Sequence, residues 1–371
     1  MQEQRSSESS YRDAGVDYDL LDAGKRLAVA SALKSSPLLR ARGGQAIDAS
    51  RGEPAFVFQH GGATLATVIE CLGTKSVIAR EVHEQLGLDG WSAVAYDTVA
   101  AIVNDLCCVG ALPLVVSAYF ATGSSEWHVA ADRSASLVSG WLEACEEAGC
   151  AWGGGESPAL KGLIAEGEVE LAGSAVGSVV GGGAPILGED LRPGDEIVLV
   201  ASNGLHANGA SLARLVASRL PDRYETALSD GQRLGEALLR RSRIYVRLVE
   251  AMLCADLPIC YLSHITGHGL LKLMRAKASL TYRIRCLPPA PEVLSLLVEN
   301  LDMDAATAYS TFNMGVGLAV YCRPSAGAEV AALAARLGFD AVRAGVVEDG
   351  PREVVLEPVG VRYSGERLRL S

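Results

Sequence analysis

The 371-residue chain contains no uninterrupted apolar run of the roughly 18–20 residues that a membrane span needs, which excludes a spanning helix. No basic cluster interrupts its acidic balance of 33 Lys and Arg against 44 Asp and Glu, a net charge of −11. Without such a cluster, the electrostatic footprint of a nucleic-acid binder is missing. C-x-x-C spacing is also absent. The nine cysteines are scattered, with one adjacent pair at Cys107-Cys108, so neither a zinc knuckle nor a disulfide framework is legible and reduced thiols are expected. The polar start, Met1 to Ser10, has no apolar h-region, and a cytoplasmic protein is expected. No repeat of 20–50 residues stands out.

What the chain does have is apolar content: 49% of its residues are hydrophobic, which points to extensive burial, part of it at a subunit interface. At about 100–200 residues per domain, the length predicts two domains. Phe56 to Phe58, Thr67 to Ile69, Leu112 to Phe120 and Val169 to Val180 read as strands, with helices over Thr98 to Cys108 and Val129 to Ala148. A glycine-rich hinge, Gly181 to Pro185, marks a boundary that divides the chain into residues 1–183 and 184–371. Beyond it, strands are expected at Glu196 to Ala201, Leu280 to Cys286, Val316 to Cys322 and Ala341 to Val347. Helices are expected near Ala207 to Leu220, Arg233 to Cys254 and Ala326 to Leu337. The spacing lacks the regular strand–loop–helix series of a doubly wound sheet, so the fold class is α+β.

The most telling local feature is Gly204-Leu-His206-Ala-Asn208-Gly209, which joins the apolar run Ile197 to Val200 to a helical stretch. Glycines let backbone approach a ligand, and a helix N-terminus offers unpaired N–H groups to an anion. An ordinary strand-to-helix turn with an asparagine cap is the plainer alternative. Asp97 is read as preceding the Thr98 helix, with Asn104 about two turns on and on the same face, and Asp105 beside it. Oxygen donors of this kind suit Mg²⁺, although for each residue alone a helix cap at Asp97 and a solvated acid at Asp105 are the plainer accounts. His206, His264 and His268 lack the spacing of a zinc site.

Five segments stand in order along the chain: Tyr11 to Asp17, Val103-Asn104-Asp105-Leu106, the Gly204 to Gly209 turn, Ser263-His264-Ile-Thr266-Gly267-His268-Gly269, and Ser310-Thr311-Phe312-Asn313-Met314-Gly315. Together they resemble phosphoribosylformylglycinamidine cyclo-ligases, the aminoimidazole ribonucleotide synthetases of purine biosynthesis. The resemblance runs from about Tyr11 to about Asp349. It implies a two-domain fold in which the N-terminal sheet pairs across a homodimer and a C-terminal α/β domain covers a cleft. It also implies ATP and Mg²⁺ as cofactors, a ribonucleotide substrate, and no nucleic-acid or membrane partner.

Carried over by resemblance, Lys75, His206 and His264 are the catalytic candidates. Gly204, Asn208, Gly209, Thr311 and Asn313 are the substrate-side candidates. Asp17, Gly73, Thr74, Asn104, Glu156, Thr266 and Gly267 fall on the ATP side, with Glu70, Asp97 and Asp105 as metal ligands. Glu70 stands where the family's Gly-Thr-Asp-Gly-Val-Gly-Thr-Lys has its Asp. Four positions depart from the family pattern: Leu112, Ala118 and Ala159 replace acids, and Cys71 replaces a glycine. His268 likewise replaces a glycine. Two function classes follow: an ATP-dependent cyclo-ligase, or a diverged member that binds ATP and acts on another substrate or on none.

Overall fold

The computed structural model describes residues 18–129 and 131–368. In chain order the first half contains α1 (Tyr18–Arg40), β1 (Gly44–Ile47), β2 (Phe56–His60), β3 (Ala63–Cys71), α2 (Lys75–Leu86), α3 (Trp91–Cys107), β4 (Ala111–Thr122), α4 (Ala131–Ala148), β5 (Ala151–Glu156) and β6 (Val169–Val179). Its six strands run β1-β2-β3-β6-β4-β5, all antiparallel except the β4–β5 pair. The expected strands are present, and β6 shows why alternation worked. Val169, Leu171, Ala175 and Val179 turn inward, whereas Ser174, Val176 and Ser178 turn outward.

Helix α3 lies on the inner face of this sheet and is buried along almost its whole length, with Val99, Ile102, Val103 and Leu106 wholly covered. It starts earlier than expected. Asp97 therefore sits inside the helix and is not its N-cap. Strand β5 is an edge strand despite its run of three glycines, Gly153 to Gly155. A Cβ on Gly155 would stand 2.0 Å from the Ala118 carbonyl oxygen, so only glycine lets this backbone pair so closely with β4.

The second half contains β7 (Glu196–Ala201), α5 (Ala210–Arg219), α6 (Leu234–Leu238), α7 (Val246–Cys254), β8 (Ile259–His264), β9 (Leu280–Ile284), α8 (Glu292–Asn300), α9 (Ala305–Thr311), β10 (Val316–Cys322), α10 (Gly327–Arg336), β11 (Ala341–Asp349), β12 (Glu353–Leu356) and β13 (Val361–Ser364). Its sheet runs β13-β12-β9-β11-β7-β10-β8, with β12–β9 its one parallel pair. The single helix expected over Arg233 to Cys254 is broken into α6 and α7. The break has a cause in the first half of the chain, which supplies hydrogen-bond partners to the intervening backbone. Residues from both halves join one apolar cluster, in which Val99 and Leu106 are continuous with Val198, Leu212 and Val249. Among the described residues, no helix is long and apolar enough to cross a membrane.

Candidate active site

The site grows from the junction of α2, α3 and the β7–α5 turn. Lys75 is the first residue of α2 and is wholly buried. Its Nζ donates to Asp97 Oδ2 at 2.5 Å and to the His206 carbonyl oxygen at 2.6 Å. The other Asp97 oxygen, Oδ1, accepts the Ser242 N–H at 2.6 Å. Two turns along the same helix face, Asn104 Nδ2 donates to the Arg243 carbonyl at 2.8 Å and its Oδ1 accepts the Tyr245 N–H at 2.8 Å. The expectation that Asp97 and Asn104 share a face is met. What they hold, however, is the backbone between α6 and α7.

The β7–α5 turn is fixed from the opposite side by Asn313, which follows α9 and is buried. Its Nδ2 donates to the carbonyls of Gly204 (2.9 Å) and Leu205 (3.2 Å), while its Oδ1 accepts from Ser202 Oγ (2.8 Å) and the Gly315 N–H (3.0 Å). Gly209, with φ of +89°, is the cap of α5. Asn208 is half-buried in the same turn, and Thr311 is buried at the end of α9. Thr74, the cap of α2, meets Ser211 in the first turn of α5 through a 2.8 Å contact between their hydroxyl oxygens. Two helix N-termini thus converge across the two halves of the chain, each with unpaired N–H groups and the positive end of its dipole. This arrangement suits an anion.

His206 lies in the left-handed region with φ of +58°, and its Nε2 is 3.0 Å from Asn203 Oδ1. Asn203 Nδ2 donates to the Arg241 carbonyl, so Oδ1 is the acceptor and His206 carries its proton on Nε2. Its Nδ1 is buried with no partner. Burial, reinforced by the charges of His264, Lys75 and Arg243, drives its pKa well below the usual histidine value and leaves a neutral imidazole.

A second cluster lies at the start of the His264 loop. His264 Nδ1 stands 2.6 Å from Asp105 Oδ1. Burial, followed by the Asp105 charge, raises Glu70 to about 7. Burial opposes ionisation of Asp105, but the His264 hydrogen bond and the charges of His264, Lys272 and Arg275 together hold it down at about 2. Lys272 is buried, its Nζ is bonded to Thr266 Oγ1, and desolvation first, then Arg275, pulls its pKa down to about 8. Lys272 and Asn203 escaped sequence reasoning. A lone lysine inside the apolar run Gly269-Leu-Leu-Lys-Leu-Met274 was the available signal.

The remaining candidates are less gathered. Gly73, with φ of +69°, precedes Thr74, and Gly267 is half-buried next to Thr266. Glu156 is exposed at the end of β5, beside Tyr119 in register. Asp17 and the Tyr11 segment lie outside the described residues. Glu70, Asp97 and Asp105 do not form a three-carboxylate cage. Asp97 is engaged by Lys75 and Ser242, and among the described residues no group of three or more His, Cys, Asp or Glu is placed to hold a metal. Asn104 is likewise engaged, with both amide atoms spent on backbone.

A family model described as AIR synthase related protein, N-terminal domain, matches residues 52–179, and its C-terminal counterpart matches residues 192–357. A phosphoribosylformylglycinamidine cyclo-ligase of Anaeromyxobacter sp. (strain Fw109-5) is 38% identical over 361 residues, covering 94% of this chain and 99% of that protein. The chain belongs to this cyclo-ligase family. A relative of the same name from Sorangium cellulosum (strain So ce56) is 37% identical over 338 residues, covering 83% of this chain and 86% of its own length. Among solved structures, T. maritima PurL complexed with FGAR aligns with a TM-score of 0.57 at 16% identity, over 85% of this chain and 47% of that one. That likeness concerns the fold. The family membership and the two mixed sheets agree with the expected α+β, synthetase-like fold.

Proposed function

We propose that the chain is an ATP-dependent cyclo-ligase that converts formylglycinamidine ribonucleotide to aminoimidazole ribonucleotide in purine biosynthesis. ATP phosphorylates the formyl amide oxygen and so makes it a leaving group. An internal amidine nitrogen then closes the imidazole ring, and ADP and phosphate depart. The observation that carries this reading is the convergence of the α2 and α5 N-termini through Thr74 and Ser211, in a family of this activity. Backbone amides at Asn208 to Ser211 bind the ribose phosphate without a charged side chain.

Lys75 acts by holding the His206 loop, not by touching phosphate, because its ammonium is already bound to Asp97 and the loop carbonyl. His206, neutral and with Nδ1 free of partners, accepts a hydrogen bond from the substrate. ATP belongs near the Gly73-Thr74 turn, Thr266 and Gly267, with Glu156 at the exposed edge. Mg²⁺, which usually keeps several waters and leans on substrate phosphates, travels with the triphosphate.

We further infer a cytoplasmic homodimer paired through the outward face of the first sheet. Ile69, Leu114 and Val176 are exposed there, and Phe56 and Phe58 stack beside them with centroids 6.0 Å apart. The direct test of the activity is mass analysis of the product, which is lighter than the substrate by one water. Unchanged substrate after prolonged incubation with ATP and Mg²⁺ would refute it.

A further inference from the structure

One peptide unit, between Arg241 and Ser242, is gripped at both of its polar ends. Its N–H donates to Asp97 Oδ1 at 2.6 Å, and its carbonyl accepts from Asn203 Nδ2 at 2.9 Å. The Arg241 side chain holds it as well: the guanidinium binds Glu143 Oε2 of α4 at 2.5 Å and Ser92 Oγ of α3, and it lies 4.9 Å from the centre of the Tyr96 ring. The carbonyl is therefore a fixed acceptor.

A fixed acceptor decides the orientation of the Asn203 amide. Turned the other way, Oδ1 would face the Arg241 carbonyl and two acceptors would meet, so Nδ2 stays on Arg241 and Oδ1 faces His206 Nε2 at 3.0 Å. The imidazole must then carry its proton on Nε2. A second proton, on Nδ1, would be buried with no partner to accept it, in a turn whose own His206 carbonyl already holds the Lys75 ammonium. From Asp97 to His206 every donor points back toward the carboxylate: the Ser242 N–H, Asn203 Nδ2 and His206 Nε2. Hydrogen bonds in series polarise one another, which makes the far end, the Nδ1 lone pair, a better acceptor.

We propose that Asn203 is a positioning residue for His206: it carries the placement of the Arg241–Ser242 peptide to the imidazole and fixes the tautomer in which Nδ1 accepts from an N–H or O–H group of the substrate. Such a nitrogen has nothing to offer a phosphate oxygen, which is itself an acceptor. The phosphate is left to the backbone amides at the start of α5, and His206 reads a donor-bearing part of the same molecule. That the donor belongs to the substrate rests on the cyclo-ligase reading; the tautomer does not.

The test pairs nitrogen-15 NMR of the histidine-labelled full chain with binding of formylglycinamidine ribonucleotide and of ATP, in the wild type, Asn203→Ala and Asn203→Asp. The wild type should show His206 protonated on Nε2 alone, and the ribonucleotide should shift the Nδ1 signal while the ring stays neutral. Asn203→Ala removes the acceptor, so an Nδ1-protonated population should appear and ribonucleotide affinity should fall by about tenfold, the worth of one hydrogen bond, with ATP affinity unchanged. Asn203→Asp keeps the shape but sets a negative charge against the ring and offers no N–H to the Arg241 carbonyl; the imidazole should become charged and the same affinity be lost. The proposal is overturned by a wild-type proton on Nδ1, by a ring that gains a proton when the ribonucleotide binds, or by a folded Asn203→Ala protein in which either the tautomer or the affinity is unchanged. Where Asn203→Ala fails to fold, as judged by circular dichroism, Asn203→Asp decides in its place, and a neutral ring or full affinity there counts against the proposal. A wild type that binds no formylglycinamidine ribonucleotide refutes the cyclo-ligase reading instead, and the tautomer alone then decides the role of Asn203.

Discussion

Asp97 and Asn104, two turns apart on one face of α3, hold the same short segment of the other half of the chain, at Ser242 and at Arg243 and Tyr245. Lys75 completes the arrangement by binding Asp97 on one side and the His206 carbonyl on the other. Two helices of the first half of the chain, α2 and α3, thereby set the position of two loops in the second.

Removing one member of the buried pair leaves the other charge uncompensated. Lys75→Met is expected to lower stability by about 3–5 kcal/mol, the usual range for breaking such a pair. Lys75→Met with Asp97→Asn should cost less than the two single changes added together, because the orphaned charge is gone. Urea unfolding of the four proteins measures this, and strict additivity would show the pair to be uncoupled.

The neutral state of His206 has a pH consequence. Its folded pKa lies well below the unfolded value, so below about 6.5 the unfolded chain takes up a proton that the folded one refuses. Stability from this residue is therefore full above about 6.5 and falls as the pH drops through that value toward the folded pKa. Nitrogen-15 NMR should show His206 still neutral at pH 6, with its proton on Nε2; a charged imidazole there would contradict the assignment.

Glu70 has the opposite sign. Its carboxyl is held up at about 7, so between about 4.5 and 7 the folded chain keeps a proton that the unfolded chain has lost. Stability is thus greater at the acidic end of that window and declines as the pH rises through it. Glu70→Gln should flatten this slope in denaturation midpoints taken from pH 5 to 7. A slope unchanged by the substitution would place the titration elsewhere.

The outward face of the first sheet should be covered by a second copy. Light scattering is expected to give a dimer, and Ile69→Glu, which puts a charge on the most exposed apolar side chain of that face, should give a folded monomer. A monomeric wild type at micromolar concentration would exclude the pairing.

Alternating strands such as β6 were legible because each buries one face, and burial writes a period of two into the residues. Strand β5 was not, since Ala-Trp-Gly-Gly-Gly-Glu carries turn residues and pairs only because β4 is there to receive it. The helix expected over Arg233 to Cys254 breaks where Asp97 and Asn104 bind its backbone, a competition between residues about 140 positions apart that local propensity cannot register. For the same reason the turn at Gly204 to Gly209 could be read locally, whereas the ion pair between Lys75 and Asp97 could not. Lys272 was hidden by its surroundings, which look like plain core.

The central claim is cyclo-ligation driven by ATP, and the measurement closest to it is ADP release with and without formylglycinamidine ribonucleotide. The account predicts that the substrate stimulates release in proportion to imidazole product formed. His206→Ala should weaken substrate capture by about tenfold while ATP affinity stays nearly unchanged, because a group that touches one ligand contributes to that ligand's binding alone. ATP binding with no substrate-stimulated ADP release from the wild type would contradict the account and leave a diverged member of the family that retains the fold and the nucleotide.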